Sequence, residues 1–227
     1  MATYVVGSPD QGDVVVLPGL CVSSYLRPAC AALADAGYRA WLLEPPGWPG
    51  APRDWGRPSR LSDLAAPVTT FLEEHLLREV VLVGQSVGAQ LAAHVVVRRP
   101  DLVRHLVLQG PVFDPSCRTT WRALLHWARD MPHERVALAA REVPDWVRAG
   151  PRRIRHMLRL ALADRLEENL TTSCPTTVVV GEHDPLCGLP WAGSLAGPDR
   201  LVVMDGLPHS AAHHDPHGFA RIVRAWT

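Results

Sequence analysis

The sequence predicts an α/β protein with a mostly parallel, doubly wound sheet, helices on both faces and a helical cap insertion. Short, continuous apolar runs alternate with segments of helical periodicity, a pattern typical of parallel strands that are covered on both faces. The chain has 227 residues, of which 47% are hydrophobic, enough for one large α/β domain with a sizeable core. One long, purely helical stretch interrupts the alternation, and it predicts the insertion.

Six apolar runs are the expected parallel strands, because each is short, rich in β-branched residues and bounded by turn residues. A weaker segment, Thr3–Gly7, could add one antiparallel edge strand. The six runs are Val14–Leu17, Ala40–Leu43, Val80–Val83, His105–Leu108, Thr177–Val180 and Leu201–Met204.

The segments between the strands carry helix start and stop signals. A helix over Tyr25–Ala36 should stop at Gly37, and Ser62 or Asp63 could cap a helix that runs to about Leu77. The loop 45–52 has too much proline and glycine for regular structure. Helix Val87–Arg98 should end before Pro100, and Asp215-Pro216 should cap and open a C-terminal helix.

Residues 114–170 contain only helical periodicities and are too long for one crossover helix. We interpret them as a helical cap over the carboxyl ends of the strands, where open α/β sheets bind ligands. Residues 1–113 and 171–227 would then form the core.

A Gly-x-Ser-x-Gly motif, Gly84–Gly88, directly follows the expected strand Val80–Val83 and opens a helix. In this setting the motif predicts a nucleophile elbow, a sharp turn that strains the serine backbone and lifts its hydroxyl clear of the sheet. The flanking glycines leave room for the neighbouring strand and helix. Ser86 is therefore the candidate nucleophile.

A serine nucleophile needs a base that is itself oriented by an acid. Asp184 follows the strand Thr177–Val180, and His209 follows the strand Leu201–Met204, so both are expected at the carboxyl edge of the sheet. Asp114, just after the strand His105–Leu108, is the alternative acid. The Gly-x-x-Asp-Pro context favours Asp184.

These motifs, in the order serine, aspartate, histidine, resemble those of the α/β-hydrolase fold superfamily over nearly the whole chain. The resemblance rests on Gly84–Gly88, Gly181–Pro185 and Leu207-Pro208-His209. It implies that Ser86 is the nucleophile, Asp184 the acid and His209 the base, and that residues 114–170 are the cap domain.

Two backbone N–H groups should form an oxyanion hole. Val87 supplies one, because it follows the nucleophile at the start of a helix. The other is expected from Leu20, or alternatively Cys21, in the loop after the strand Val14–Leu17. Relatives typically carry His-Gly in this loop, where this chain has Pro18-Gly19.

Most tryptophans, Trp55 among them, should be packing residues, and one or two should line an apolar acyl pocket. The candidates are Trp48, Trp121, Trp127 and Trp146. Arginines at 148, 152, 153, 155 and 159 either form a solvated helix face or contact an anionic phosphopantetheine arm, coenzyme A or an acidic carrier protein.

All 23 basic residues are arginine, so chemistry that needs a lysine Schiff base is excluded. No cofactor is expected. We also expect no metal: His209, His213, His214 and His217 are interpreted as a surface turn with one catalytic histidine. The formal net charge of +0 gives no global attraction to nucleic acid or to an anionic membrane.

No apolar run is long enough to cross a membrane, and the first residues do not resemble a secretion signal. We therefore expect a soluble, cytoplasmic protein, monomeric or dimeric, whose five cysteines are reduced and mostly buried.

The function that these features favour is hydrolysis of a small, largely apolar ester, thioester or lactone through an acyl-serine intermediate. The alternative keeps the fold and changes the reaction, to that of a cyclase, a lyase or a carbon–carbon hydrolase. A non-catalytic ligand receptor is the less favoured third hypothesis.

Overall fold

The computed structural model describes residues 1–51, 56–170, 174–196 and 200–226, and its centre is one seven-stranded sheet. The strands are β1 (Ala2–Val6), β2 (Asp13–Leu17), β3 (Arg39–Glu44), β4 (Val80–Gln85), β5 (Val103–Gln109), β6 (Thr176–Gly181) and β7 (Leu201–Met204). Their order across the sheet is β1-β3-β2-β4-β5-β6-β7.

All neighbouring strands run parallel except β1, which pairs antiparallel with β3 at the edge. The predicted fold class and the antiparallel edge strand are therefore confirmed. Parallel strands place all their carboxyl ends at one edge of the sheet, so the loops after β2, β4, β5, β6 and β7 meet there.

Ten α-helices are described. They are α1 (Arg27–Asp35), α2 (Ala65–Glu74), α3 (Val87–Arg98), α4 (Thr120–Asp130), α5 (Val136–Ala149), α6 (Pro151–Ala163), α7 (Leu166–Asn169), α8 (Leu189–Ala196), α9 (Ala211–His214) and α10 (Pro216–Trp226).

Alternate residues of each buried strand face opposite layers of helices. Leu17 and Leu82 belong to a core that includes α2 and α3, whereas Val16 and Val83 belong to a second core that includes α1 and α10. This two-sided burial explains why the strands are continuously apolar in sequence.

The predicted element boundaries hold to within a few residues. Helix α3 and strand β7 have the predicted bounds, and Asp215 caps α10 by accepting a hydrogen bond from the Gly218 N–H at 2.8 Å. Neither Ser62 nor Asp63 is the cap of the next helix. Both lie inside a 3₁₀ turn that precedes α2, and Asp63 accepts the Ser59 and Arg60 N–H groups. Residues 45–51 have no regular structure, as predicted, and Pro52 lies outside the described residues.

Residues 114–170 contain helices α4 to α7 and no strand, and they connect the adjacent strands β5 and β6. Carboxylates of this segment hold it to the core. Asp145 accepts the Ser23 and Ser24 N–H groups, both at 3.0 Å, and Asp130 accepts the His209 N–H at 3.1 Å. The segment is thus attached directly to the loops at the carboxyl edge of the sheet.

Candidate active site

Ser86 stands at a sharp turn between β4 and α3. Its φ of 56° and ψ of −120° are strained for a residue with a side chain. The turn needs both flanking glycines: a Cβ on Gly88 would lie 2.1 Å from the Leu17 carbonyl oxygen, and one on Gly84 would lie 2.4 Å from the Gly88 carbonyl oxygen. The local geometry is that of a nucleophile elbow.

Asp184 and His209 come together in the loops after β6 and β7. Asp184 Oδ2 lies 2.7 Å from His209 Nδ1, and both side chains are buried. The other oxygen, Oδ1, accepts the backbone N–H groups of Leu186 at 2.8 Å and Cys187 at 2.9 Å. The carboxylate is therefore fixed, and it holds the imidazole with Nε2 as the unused ring nitrogen.

Asp114, the alternative acid, has a different role in this structure. Its Oδ1 accepts the Ser116 N–H at 2.6 Å and caps the 3₁₀ turn Pro115–Cys117. No hydrogen bond or ion pair joins Asp114 to His209 within the described residues. Asp184 is the acid that contacts His209.

His209 Nε2 is buried without a hydrogen-bond partner among the described residues, and His209 and Ser86 line one cavity. Ser86 and His209 therefore face the same cavity, with no hydrogen bond between the Ser86 hydroxyl and this nitrogen. In apo hydrolases such contacts are often long and shorten only in the reacting complex. An unpaired basic nitrogen that shares a cavity with an elbow serine is suited to proton abstraction.

The loop after β2 approaches the serine closely. A Cβ on Gly19 would lie 3.5 Å from Ser86 Cβ. Neither the Leu20 N–H nor the Val87 N–H donates to an acceptor within the described residues. Both N–H groups are therefore without an acceptor in the described structure, and their role as oxyanion donors stays a prediction.

Three side chains hold this loop in place. The Tyr25 hydroxyl accepts the Gly19 N–H at 3.2 Å, Trp48 Nε1 donates to the Gly19 carbonyl at 2.8 Å, and Trp146 Nε1 donates to the Leu20 carbonyl at 3.1 Å. Tyr25 in turn donates to Gln85, next to the serine. These contacts support the loop that contains Pro18.

A cavity of about 270 Å³ adjoins Ser86 and His209. Its walls are mostly apolar and come from both the core loops and the 114–170 segment. Aliphatic and aromatic side chains dominate, and the volume suits a small ligand. Among the apolar lining residues are Leu20, Val112, Phe113, Leu124, Ile154 and Leu158.

The four candidate tryptophans divide into two pairs. Trp127 and Trp146 line the cavity, with ring centroids 5.9 Å apart in a T-shaped arrangement. Trp48 and Trp121 do not line it, which corrects the expectation for these two. Trp48 is fully buried and holds the Gly19 loop, whereas Trp121 is 66% exposed on the outer face of α4. Trp55 lies outside the described residues.

Acidic side chains of the 114–170 segment surround His209. Burial alone would lower the pKa of His209, but the charge and hydrogen bond of Asp184, with the charges of Asp130 and Glu134, raise it to about 9. Burial raises the pKa of Asp130 to about 7, although the nearby His209 acts in the opposite sense. This set of charges favours the protonated imidazole.

The other histidines of the predicted cluster have separate partners. His213 Nδ1 lies 2.9 Å from the Tyr25 carbonyl oxygen, and His214 Nε2 lies 2.5 Å from Glu134 Oε2. Within the described residues, no three His, Cys, Asp or Glu side chains are arranged to hold a metal ion. All five cysteines are free, and burial raises the pKa of the Cys21 thiol to about 12.

A second cavity, of about 770 Å³, lies against the N-terminal half of α6. The two cavities lie against opposite faces of this helix. Ile154 and Leu158 line the apolar cavity, whereas Arg152, Arg155 and Arg159 line the second one. Arg153 also donates to the Trp48 carbonyl at 3.0 Å. The basic residues around the second cavity are Arg57, Arg152, Arg153, Arg155, His156 and Arg159.

Sequence reasoning missed several residues that shape the site. Gly110, with φ of 53°, leaves space for the acid–histidine pair, since a Cβ there would lie 3.0 Å from His209 Nδ1 and 3.1 Å from Asp184 Oδ2. The Gly110-Pro111 pair at the end of β5 was a usable signal. Tyr25, Asp130 and Glu142 gave no such signal, because their roles depend on contacts between distant segments.

The family model for the alpha/beta hydrolase fold matches residues 13–151, which is more than half of the 227 residues. The chain belongs to the α/β-hydrolase fold family, as its motifs and sheet order indicate. A comparison with curated proteins found no significant match.

Solved structures of this fold superpose over almost the entire chain. An esterase from Exiguobacterium antarcticum has a TM-score of 0.77 at 16% identity, covering 99% of this chain and 94% of the esterase. A meta-cleavage product hydrolase from Pseudomonas fluorescens gives 0.76 at 18% identity, with 99% and 92% covered. A monoacylglycerol lipase from Paleococcus ferrophilus gives 0.74 at 19% identity, with 100% and 98% covered. At such low identity these likenesses support the fold.

None of the described helices is long and apolar enough to cross a membrane.

Proposed function

We propose that this protein is a serine hydrolase that cleaves a small, largely apolar ester, thioester or lactone through an acyl-serine intermediate. The observation that carries the proposal is the buried, unpartnered His209 Nε2 in the cavity of Ser86, with Nδ1 fixed by Asp184 at 2.7 Å. A histidine held in this way can accept the serine proton.

In the first half-reaction, Ser86 Oγ attacks the substrate carbonyl carbon while His209 Nε2 takes the hydroxyl proton. The carbonyl π electrons move to oxygen, and the Leu20 and Val87 N–H groups bind the resulting oxyanion. The tetrahedral intermediate collapses, the bond to the leaving group breaks, and His209 gives its proton to that group.

In the second half-reaction, His209 removes a proton from water, whose oxygen attacks the acyl carbon. The new intermediate releases the carboxylic acid, and Ser86 Oγ recovers its proton from His209. Throughout, Asp184 stays ionised and stabilises the imidazolium. In this proposal the 114–170 segment acts as a cap, since it supplies much of the apolar wall of the cavity.

Partitioning of a common intermediate tests the proposal. Two butyrate esters, p-nitrophenyl butyrate and phenyl butyrate, are each hydrolysed with methanol present as a competing nucleophile. If both give the same butyryl-Ser86 enzyme, the ratio of methyl butyrate to butyric acid is the same for both. A ratio that depends on the leaving group, or no turnover of any small ester, would contradict the acyl-serine mechanism.

The pH dependence gives a further prediction. General-base catalysis needs the neutral imidazole, so kcat/KM should rise with pH through the His209 pKa of about 9. Asp130→Asn removes a charge that raises this pKa and keeps an acceptor for the His209 N–H. We expect the midpoint to move to lower pH. The measurement is kcat/KM between about pH 6 and about pH 10, corrected for spontaneous hydrolysis.

Asp101→Asn is the matched control for this pH measurement, because Asp101 is an exposed surface residue paired with Arg99. It should leave the midpoint unchanged. A midpoint that stays in place or rises in Asp130→Asn would show that Asp130 does not act on His209.

Two finer expectations remain predictions. A coenzyme A thioester or carrier-bound acyl donor would place its anionic groups against the arginines of the second cavity. A cytoplasmic location remains the expectation from the sequence.

A further inference from the structure

The apolar cavity beside Ser86 contains one carboxylate that the proposed mechanism does not use. Glu142, in α5, lines this cavity with Ser86, Tyr25 and His209. Its side chain forms no hydrogen bond or ion pair within the described residues. An ionised carboxylate among apolar side chains costs free energy unless a positive charge lies nearby. The position of Glu142 therefore favours a ligand that carries such a charge.

The surrounding acids do not share this condition, because each is already paired. Glu134 accepts the Ser210 N–H and contacts His214, Asp130 accepts the His209 N–H, and Asp145 accepts the Ser23 and Ser24 N–H groups. Glu142 therefore stands out as the carboxylate that faces the cavity without a partner.

Aromatic rings complete the surroundings of Glu142. Trp146 lies one helical turn further along α5, on the same face, and Trp127 packs against it edge to face. Both rings line the cavity. A carboxylate and aromatic rings that line the same cavity are a favourable environment for an organic cation, which gains from both the charge and the ring quadrupoles.

We propose that Glu142, with Trp127 and Trp146, recognises a cationic ammonium group on the substrate of this site. The inference rests on the proposed function for the identity of the bond that is cleaved, but binding of the cation does not depend on that reaction. It makes Glu142 a specificity residue: it selects the charged substrate over a neutral one of the same shape.

The electrostatics of the pocket agree with this role. Burial raises the pKa of Glu142 to about 8, and the charges of Glu134, Asp130 and Asp145 also raise it. The charge of His209 acts in the opposite sense and lowers this pKa. A cation bound beside the carboxylate would favour the ionised form. Affinity for the cation should therefore increase as pH rises towards about 8.

The test uses two esters of equal shape, acetylcholine and 3,3-dimethylbutyl acetate. Acetylcholine has a positively charged quaternary nitrogen where the other ester has a neutral quaternary carbon. Their dissociation constants are measured by calorimetry on Ser86→Ala, so that binding is read without turnover. We expect acetylcholine to bind at least about tenfold more tightly, a preference that Ser86→Ala/Glu142→Gln loses.

The isosteric Glu142→Gln change should preserve folding, and Glu168→Gln, an exposed acid of the same segment, is the control that should keep the preference. Equal affinity for the two esters in Ser86→Ala, or a cation preference that persists in Ser86→Ala/Glu142→Gln, would overturn the inference. Turnover of the neutral ester by the wild-type protein is measured separately and reports on the proposed function alone.

Discussion

Ser86→Ala is expected to lower kcat for p-nitrophenyl butyrate by on the order of 10⁴-fold or more, because no other group at the elbow can form the acyl intermediate. Binding should change little, since the Ser86 side chain is small and the apolar walls of the cavity remain. The measurement is steady-state turnover by the purified variant, with folding checked by circular dichroism.

Ser210→Ala is the matched control, because Ser210 also lines the cavity. It is expected to keep activity within about threefold, because the Ser210 backbone N–H still donates to Glu134 at 2.9 Å after the hydroxyl is removed. Product formation that survives Ser86→Ala but is lost in His209→Ala would indicate base catalysis without an acyl enzyme, as in a cyclase or lyase.

Asp184→Asn is expected to reduce kcat by about 10³- to 10⁴-fold. The Leu186 and Cys187 N–H groups need an acceptor, so the amide oxygen of the new asparagine should face them. Its NH₂ would then face His209 Nδ1 and favour the tautomer with the proton on Nε2. That tautomer cannot accept the serine proton.

Asp114→Asn is the paired control for the acid. An amide oxygen can still accept the Ser116 N–H that caps the adjacent turn, so we expect kcat within about twofold of the wild-type value. The reverse result, a large loss in Asp114→Asn with little effect in Asp184→Asn, would assign the acid to the strand β5 loop. Both variants are compared by kcat and by the midpoint of thermal unfolding.

The fold could be predicted well because its signals are local and repeated. Each buried strand is a short apolar run rich in β-branched residues, and turn residues mark most of its ends, so length and flanking residues separate the strands from the longer helices. The order of elements then limits the topology, because parallel strands joined by right-handed crossover helices can be arranged in only a few ways. Ser86, Asp184 and His209 could be predicted from local signals too. Each follows a strand, and the carboxyl ends of parallel strands lie at one edge of the sheet.

The surroundings of these residues could not be predicted, because they depend on contacts between distant parts of the chain. Tyr25 and Trp48 hold the Gly19 loop, yet in sequence each is an ordinary aromatic residue of a helix start or a proline-rich loop. Trp121 and Trp127 occur in one helix, but only Trp127 lines the cavity. The hydrophobic pattern of α4 does not fix which face meets the core.

The acids of the 114–170 segment show the same limit more clearly. In sequence, Asp130, Glu134 and Glu142 are indistinguishable from solvated charges on amphipathic helices. The packing of the segment brings them to His209 and the cavity, where burial and mutual repulsion raise the pKa values of Asp130 and Glu142. Electrostatic roles of this kind follow from the tertiary structure, so they appear only when the helices are placed.

The measurement that most directly tests the central proposal is covalent labelling with a fluorophosphonate, followed by mass spectrometry of the intact protein and its peptides. Phosphonylation gives a stable adduct, so no fast second step can hide it. We expect one adduct, on the peptide that contains Ser86, with labelling retained in Ser210→Ala and abolished in Ser86→Ala. No adduct in the folded wild-type protein, or an adduct that persists in Ser86→Ala, would contradict the proposal.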